Sequence, residues 1–183
     1  AEALYKAKRT ILQFYSLHSE NAKKLASKYH CSYTDNLHQI NPTADLYVFS
    51  VTDDALPFVA SSINLSKGCA VHTSVFHSLD ILSTVCKNTG VIYPVQTFSK
   101  TKIIDFSAVP VCIEATDPDV KESLLRLTGM ISPIIYEVSG EQRKYLHLAA
   151  VFANNFSNYL YHISYDILRQ SKLPFDILRP LIN

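Results

Sequence analysis

An imidazole and three carboxamides, His147, Asn154, Asn155 and Asn158, punctuate one amphipathic stretch at residues 141–158 (EQRKYLHLAAVFANNFSN). Imidazole exchanges a proton near neutral pH, and a carboxamide offers both donors and an acceptor. Side by side they could orient a small polar substrate and pass it a proton. At about 100° per residue, Arg143, His147, Asn154, Asn158, Tyr161 and Tyr165 fall within roughly 40° of His147, with Asn155 about 80° round. The opposite side carries Ala149, Phe152, Ala153, Phe156, Leu160, Ile163 and Ile167, an apolar stripe expected to face a core. A histidine in an apolar stretch also often just satisfies a buried hydrogen bond, and Asn155 and Asn158 could pair with each other or cap a neighbouring helix. Tyr161 and Tyr165 suit core or interface positions with wet hydroxyls.

This stretch must be a helix. Ser139 followed by Gln142 forms a capping box at its start, and Pro174, which cannot continue a helix, lies beyond its end. Upstream, apolar runs alternate with helical patterns. Strands are expected at residues 10–15, 45–51, 69–73, 91–93, 109–114 and 134–138. Helices are expected at residues 19–29 and 78–87, capped by Ser19 and Ser78, and at 54–61 and 118–128. Continuous apolar runs such as residues 45–51 suit a parallel sheet covered on both faces. The alternation predicts an α/β fold: a Rossmann-like, doubly wound, mostly parallel sheet over residues 1–138, followed by an α-helical region from residue 139 to 183.

Ligands of such sheets bind outside the carboxyl ends of the strands. The segments there hold Ser16 and His18, Val51, Thr52 and Asp53, His72, Thr73 and Ser74, and Gln96, Thr97 and Lys100. Thr52 is expected to meet a cofactor through its backbone, whereas Asp53 and Asp54 also fit an ordinary helix N-cap. His72, Thr73 and Ser74 would line the path of a nicotinamide ribose, Gln96 and Thr97 would close a pocket, and Lys100 could bind an anion or supply a proton. After the strand at residues 10–15 the chain reads Tyr15-Ser16-Leu17-His18-Ser19. A carboxylate there would favour NAD through the ribose 2′-hydroxyl; its absence leans toward NADP over NAD, and Ser16 and Ser19 also fit simple turn and cap roles.

Composition narrows the classes further. The 183 residues are 48% hydrophobic and 18% charged, with a net charge of +1, so one packed domain or slightly more is expected. Scattered Lys and Arg indicate no nucleic-acid stripe, and the longest apolar runs, about six residues, fall far short of the roughly 20 that span a bilayer. Four cysteines without CxxC spacing predict reduced thiols, a cytoplasmic setting and no metal. Residues 1–9 resemble the closing turns of a helix rather than a signal peptide, which points to a longer parent chain.

Residues 71–74 (VHTS), 90–100 (GVIYPVQTFSK), 109–115 (VPVCIEA) and 141–158 closely resemble the Rossmann-like, DUF2520-containing NADP oxidoreductases. The resemblance covers nearly the whole chain. It implies an N-terminal Rossmann domain and a C-terminal helical domain like those of the 6-phosphogluconate dehydrogenase and pyrroline-5-carboxylate reductase superfamily, with a homodimer built through the helical domain. It also implies a glycine loop (GxGxxG) upstream of Ala1. The four glycines present, Gly68, Gly90, Gly129 and Gly140, are isolated from one another. In the more distant β-hydroxyacid dehydrogenases a lysine precedes the substrate-binding asparagine by one turn; with Asn155 in the asparagine's place, that position holds Val151. The expected function is NADP-dependent hydride transfer to or from an unidentified small substrate lying between the sheet's carboxyl edge and the long helix. His147, Asn155, Asn158 and Lys100 are the candidate catalytic residues. The alternative is a non-catalytic nucleotide- or ligand-binding module on the same scaffold.

Overall fold

The computed structural model describes residues 1–99 and 104–182. Helix α1 (Glu2–Lys6) leads into β1 (Gln13–Tyr15), α2 (Ser19–Tyr29) and β2 (Ser32–Thr34). Strand β3 (Leu46–Phe49) precedes α3 (Leu56–Ser61), β4 (Cys69–His72), β5 (Asn88–Pro94), β6 (Val111–Ala115), α4 (Pro118–Gly129) and β7 (Ile135–Glu137). The chain then runs through α5 (Gly140–Ala150), a π-helical segment (Val151–Phe156), α6 (Ser157–Gln170) and α7 (Arg179–Ile182). Two compact units result, Ala1–Arg143 and Lys144–Asn183.

The first unit holds a parallel pair, β1 with β2, and a five-stranded sheet in the order β3-β4-β5-β6-β7. All neighbours in the larger sheet are parallel except β5 and β6. Side chains alternate between faces along a strand, and adjacent β4 residues divide accordingly. Ala70 packs with Phe49, Leu56, Val59, Leu82 and Val85, while Val71 packs with Ile92, Val111, Ile113, Val120 and Leu124. Helix α3 and a 3-10 turn at Leu79–Leu82 cover one face, and α4 covers the other. The sheet is therefore doubly wound, as its apolar runs predict. Asp117 starts α4 by accepting hydrogen bonds from the backbone N–H groups of Asp119 and Val120 at 3.0 Å.

Several local expectations are corrected. Of the helix expected at residues 78–87 only Leu79–Leu82 is helical, as a 3-10 turn: Thr84 and Val85 are poor helix formers, and the Val85 carbonyl is taken by the Leu65 N–H at 2.7 Å. Neither Ser19 nor Ser78 caps through its side chain; His18 is the N-cap of α2, and Ser19 is already helical. Strand β2 was not expected. Strand β6 is antiparallel to β5 because the chain returns along β5, with the Val95 N–H donating to the Pro110 carbonyl at 2.8 Å and extending the ladder.

In the second unit no described residue is buried. The apolar stripe expected to face a core is open: Phe152, Phe156, Leu160 and Ile167 are all at least half exposed. Amphipathic periodicity demands a cover for that face; residues 144–182 do not supply one. No helix of the described residues is long and apolar enough to cross a membrane.

Candidate functional site

Parallel register brings the predicted loops after β3, β4 and β5 to one edge of the larger sheet. Phe49 pairs with His72, and His72 with Val91, so β3 and β4 end side by side. The loops beyond them are tied together. The Thr73 N–H donates to the Phe49 carbonyl at 3.2 Å, its hydroxyl meets that of Ser50 at 3.4 Å, and His77 Nε2 donates to the Asp53 carbonyl at 2.9 Å. Val51 and Thr52 are exposed and Asp53 and Thr73 half-buried. The Thr52 carbonyl accepts the N–H groups of Ala55 and Leu56 at 3.1 Å, which fixes the peptide ahead of α3. A small hydroxyl-rich rim is thus held rigidly at the carboxyl edge.

His72 does not belong to that rim. It is fully buried, its Nδ1 accepts the Ser74 N–H at 3.1 Å, and its Nε2 donates to the Ser78 carbonyl at 3.3 Å. Burial, and secondarily the Arg143 charge, lowers its pKa to about 4, so the ring stays neutral. The expected cofactor contact is corrected: His72 holds the loop from beneath. Ser74, also buried, uses its hydroxyl to accept the N–H groups of Phe76 and His77 at 3.2 Å.

Ser16 and His18 follow β1. Ser16 is half-buried with its N–H on the Thr34 carbonyl at 3.3 Å, while His18 is exposed ahead of α2. No carboxylate stands between Tyr15 and α2; Glu20 is already in the helix's first turn. Gln96 and Thr97 are exposed beyond β5, where Gln96 Oε1 accepts the Thr97 N–H at 2.8 Å. Lys100 lies outside the described residues.

Sequence reasoning missed the most buried charge. Arg143, placed on the polar helix face by periodicity, is wholly buried and ion-paired with Glu114, whose other oxygen accepts the Gly140 N–H at 3.0 Å. Two signals were present. Glu114 is a lone carboxylate within the apolar strand β6, and a cation in the first turn of a helix is disfavoured by the macrodipole unless it has a partner.

At the start of α5 the capping box forms as predicted: the Ser139 N–H donates to Gln142 Oε1 at 2.9 Å, and the Gln142 N–H to Ser139 Oγ at 3.3 Å. His147 is half-buried on α5. The amides gather on the π segment. Asn154 Nδ2 donates to Asn155 Oδ1 at 3.0 Å, and Asn158 Nδ2 to Asn154 Oδ1 at 3.1 Å. Consecutive side chains do not face each other on an α-helix; the wider π turn lets Asn154 and Asn155 meet, and such turns concentrate at functional sites. Val151 opens this segment.

Residues 109–183 match the model of DUF2520, a domain of unknown function. The putative NADP oxidoreductase BF3122 of Bacteroides fragilis is 38% identical, with a TM-score of 0.87 over 99% of this chain and 71% of that one. This chain belongs to the Rossmann-like, DUF2520-containing oxidoreductase family. The family's fold is shared more widely. Pyrroline-5-carboxylate reductase of Streptococcus pyogenes has a TM-score of 0.71 at 12% identity, over 100% of this chain and 71% of that one. Prephenate dehydrogenase of Aquifex aeolicus, solved with hydroxyphenyl propionate and NAD+, has a TM-score of 0.69 at 13% identity, over 92% and 64%. No curated protein matches this DUF2520 chain by sequence.

Proposed function

We propose that this chain belongs to an NADP-dependent oxidoreductase that moves hydride between nicotinamide and a small, unidentified substrate. The carrying observation is the rigid rim after β3 and β4, where exposed Thr52 and half-buried Thr73 offer hydroxyls at the carboxyl edge of a parallel sheet. The donor set after β1, Ser16 and His18 with no carboxylate before α2, suits a 2′-phosphate better than a bare 2′-hydroxyl, which supports NADP over NAD. The 38% identical relative, named as an NADP oxidoreductase, supports the same choice.

When bound, the nicotinamide supplies the hydride. Ser16 and His18 after β1, and Val51, Thr52, Asp53 and Thr73 at the edge of the larger sheet, are the residues assigned to orient it, with Ser74 bracing the loop beneath Thr73. In the helical unit, Asn155 and Asn158 are assigned to the substrate's polar group and His147 to proton exchange; in the first unit, Gln96 and Thr97 are assigned to substrate contact and Lys100 to supplying a cation. Because Asn155 spends its oxygen on Asn154, its own N–H donors remain for a ligand oxygen. Four free cysteines fit a cytoplasmic protein. The open stripe from Phe152 to Ile167 fits a second copy of the chain, giving a homodimer through the helical part.

A substrate screen following NADPH oxidation tests the assignment. His147→Ala should lower kcat and Asn155→Ala should raise KM. Activity indifferent to both would refute these roles. Val151, standing where the distant relatives carry lysine, favours the second reading, a nucleotide-binding module without turnover. NADPH binding with no oxidation across the screen would support that reading.

A further inference from the structure

The Arg143 guanidinium spends all three nitrogens inside the first unit. Nε donates to the Val75 carbonyl at 3.3 Å, Nη2 to the His77 carbonyl at 2.7 Å, and Nη1 to the Glu114 carboxylate. Both carbonyls belong to residues 73–78, the loop after β4. In that loop the Ser74 N–H is accepted by His72, and the Phe76 and His77 N–H groups by the Ser74 hydroxyl. His77 then reaches the Asp53 carbonyl, and Glu114 reaches the Gly140 N–H. One continuous chain of polar contacts, Asp53–His77–Arg143–Glu114–Gly140, runs from the loop after β3 to the first turn of α5.

Stability alone does not account for such a pair. Burying the guanidinium and partly burying the carboxylate costs desolvation that their attraction roughly repays, and apolar residues of similar volume often serve as well. What only arginine supplies is a planar fork of fixed donors that sets several acceptors in one geometry.

We propose that Arg143 is a positioning residue for nucleotide binding. Its fork orients the Val75 and His77 peptides, and through the His77 ring the Asp53 peptide. Thr52 and Thr73 are thereby held in the arrangement that receives the nucleotide. The role rests on the nucleotide-binding reading of this edge, and it assigns function to a side chain that touches no ligand.

The test uses the full-length protein with Arg143→Ala, Arg143→Lys and Glu114→Gln. NADPH affinity is read by fluorescence titration, and amide hydrogen exchange is followed at Ser74, Phe76 and His77. Loss of the fork in Arg143→Ala should weaken NADPH binding about tenfold, the equivalent of roughly one misplaced hydrogen bond. Exchange at the three loop amides should quicken while protection in β4 and β5 persists. Methylguanidinium should restore affinity to Arg143→Ala, and methylammonium should not. Arg143→Lys, which keeps the charge without the fork, should behave like Arg143→Ala. Wild-type affinity in either Arg143 variant with the sheet protected would overturn the proposal, as would methylguanidinium that restores loop protection without affinity. If Arg143→Ala loses sheet protection, Glu114→Gln decides: a weakened affinity with an intact sheet supports the role, and an unchanged one overturns it. Wild-type protein that binds neither NADPH nor NADH would remove the nucleotide reading and this role together. Unchanged loop exchange in a folded Arg143 variant would remove the role alone.

Discussion

Acidification should loosen the five-stranded sheet through His72. The ring is fully buried, and its two hydrogen bonds, from the Ser74 N–H and to the Ser78 carbonyl, require the neutral form with the proton on Nε2. A second proton on Nδ1 would displace the Ser74 N–H and place a cation near Arg143 and His77, with Glu114 the opposing charge. Burial, then the Arg143 charge, therefore lowers the pKa from 6.5 to about 4. The unfolded chain binds this proton as pH falls through 6.5, and the folded chain only near 4. The contribution is complete above pH 6.5 and is lost on acidification toward pH 4. With those two values, stability attributable to His72 falls by about 2 kcal/mol between pH 7 and pH 5. Urea unfolding of the wild type and His72→Gln at pH 7, 6 and 5 isolates the effect, because other titrating groups act equally in both. His72→Gln is less stable at pH 7, and the gap should narrow by about 2 kcal/mol at pH 5. A gap that stays constant across this range would refute the argument that His72 is held neutral by burial.

Other perturbations follow from the packing. A Cβ on Gly90 would lie 2.5 Å from Leu124 Cδ1 and 2.9 Å from the Glu114 carbonyl, so Gly90→Ala should overpack the β5–α4 contact by about 1–3 kcal/mol, visible as a lower Tm. Ser139→Ala removes the side-chain half of the capping box and should cost about 1 kcal/mol in urea unfolding. Leu160→Asp, on the open stripe of the proposed homodimer, should make the full-length protein sediment as a monomer where the wild type sediments as a dimer; a variant that is still dimeric, or a monomeric wild type, would overturn that interface. Asn154→Ala, which removes the centre of the amide chain, should weaken substrate binding while leaving NADPH affinity unchanged.

Much of the scaffold was legible because its signals are local. Apolar runs at β3 and β4 announce a sheet covered on both faces, and Ser139 with Gln142 marks the start of α5 three positions apart. Strand direction is not local. The antiparallel course of β6 depends on a return path set by Val95 and Pro110, and no periodicity encodes it. The stripe on α5 and α6 shows that a face requires burial without naming its cover. At the candidate site, residue type and strand-end position pick out Thr52 and Thr73 but cannot separate rim from underlay. His72 precedes Thr73 by one residue and faces the interior because side chains alternate along the strand. Arg143 fell on the polar face by angle alone; its burial depends on Glu114, which is distant in sequence. The π turn that joins Asn154 to Asn155 leaves no signature in helix propensity.

Nucleotide binding tests the central claim most directly. Titration of the full-length protein with NADPH and NADH, followed by nicotinamide fluorescence, should show saturable binding of both, with NADPH bound more tightly. Thr52→Glu, which places a carboxylate at the rim, should abolish the signal. Absence of saturable binding for either nucleotide at millimolar concentration would contradict the account.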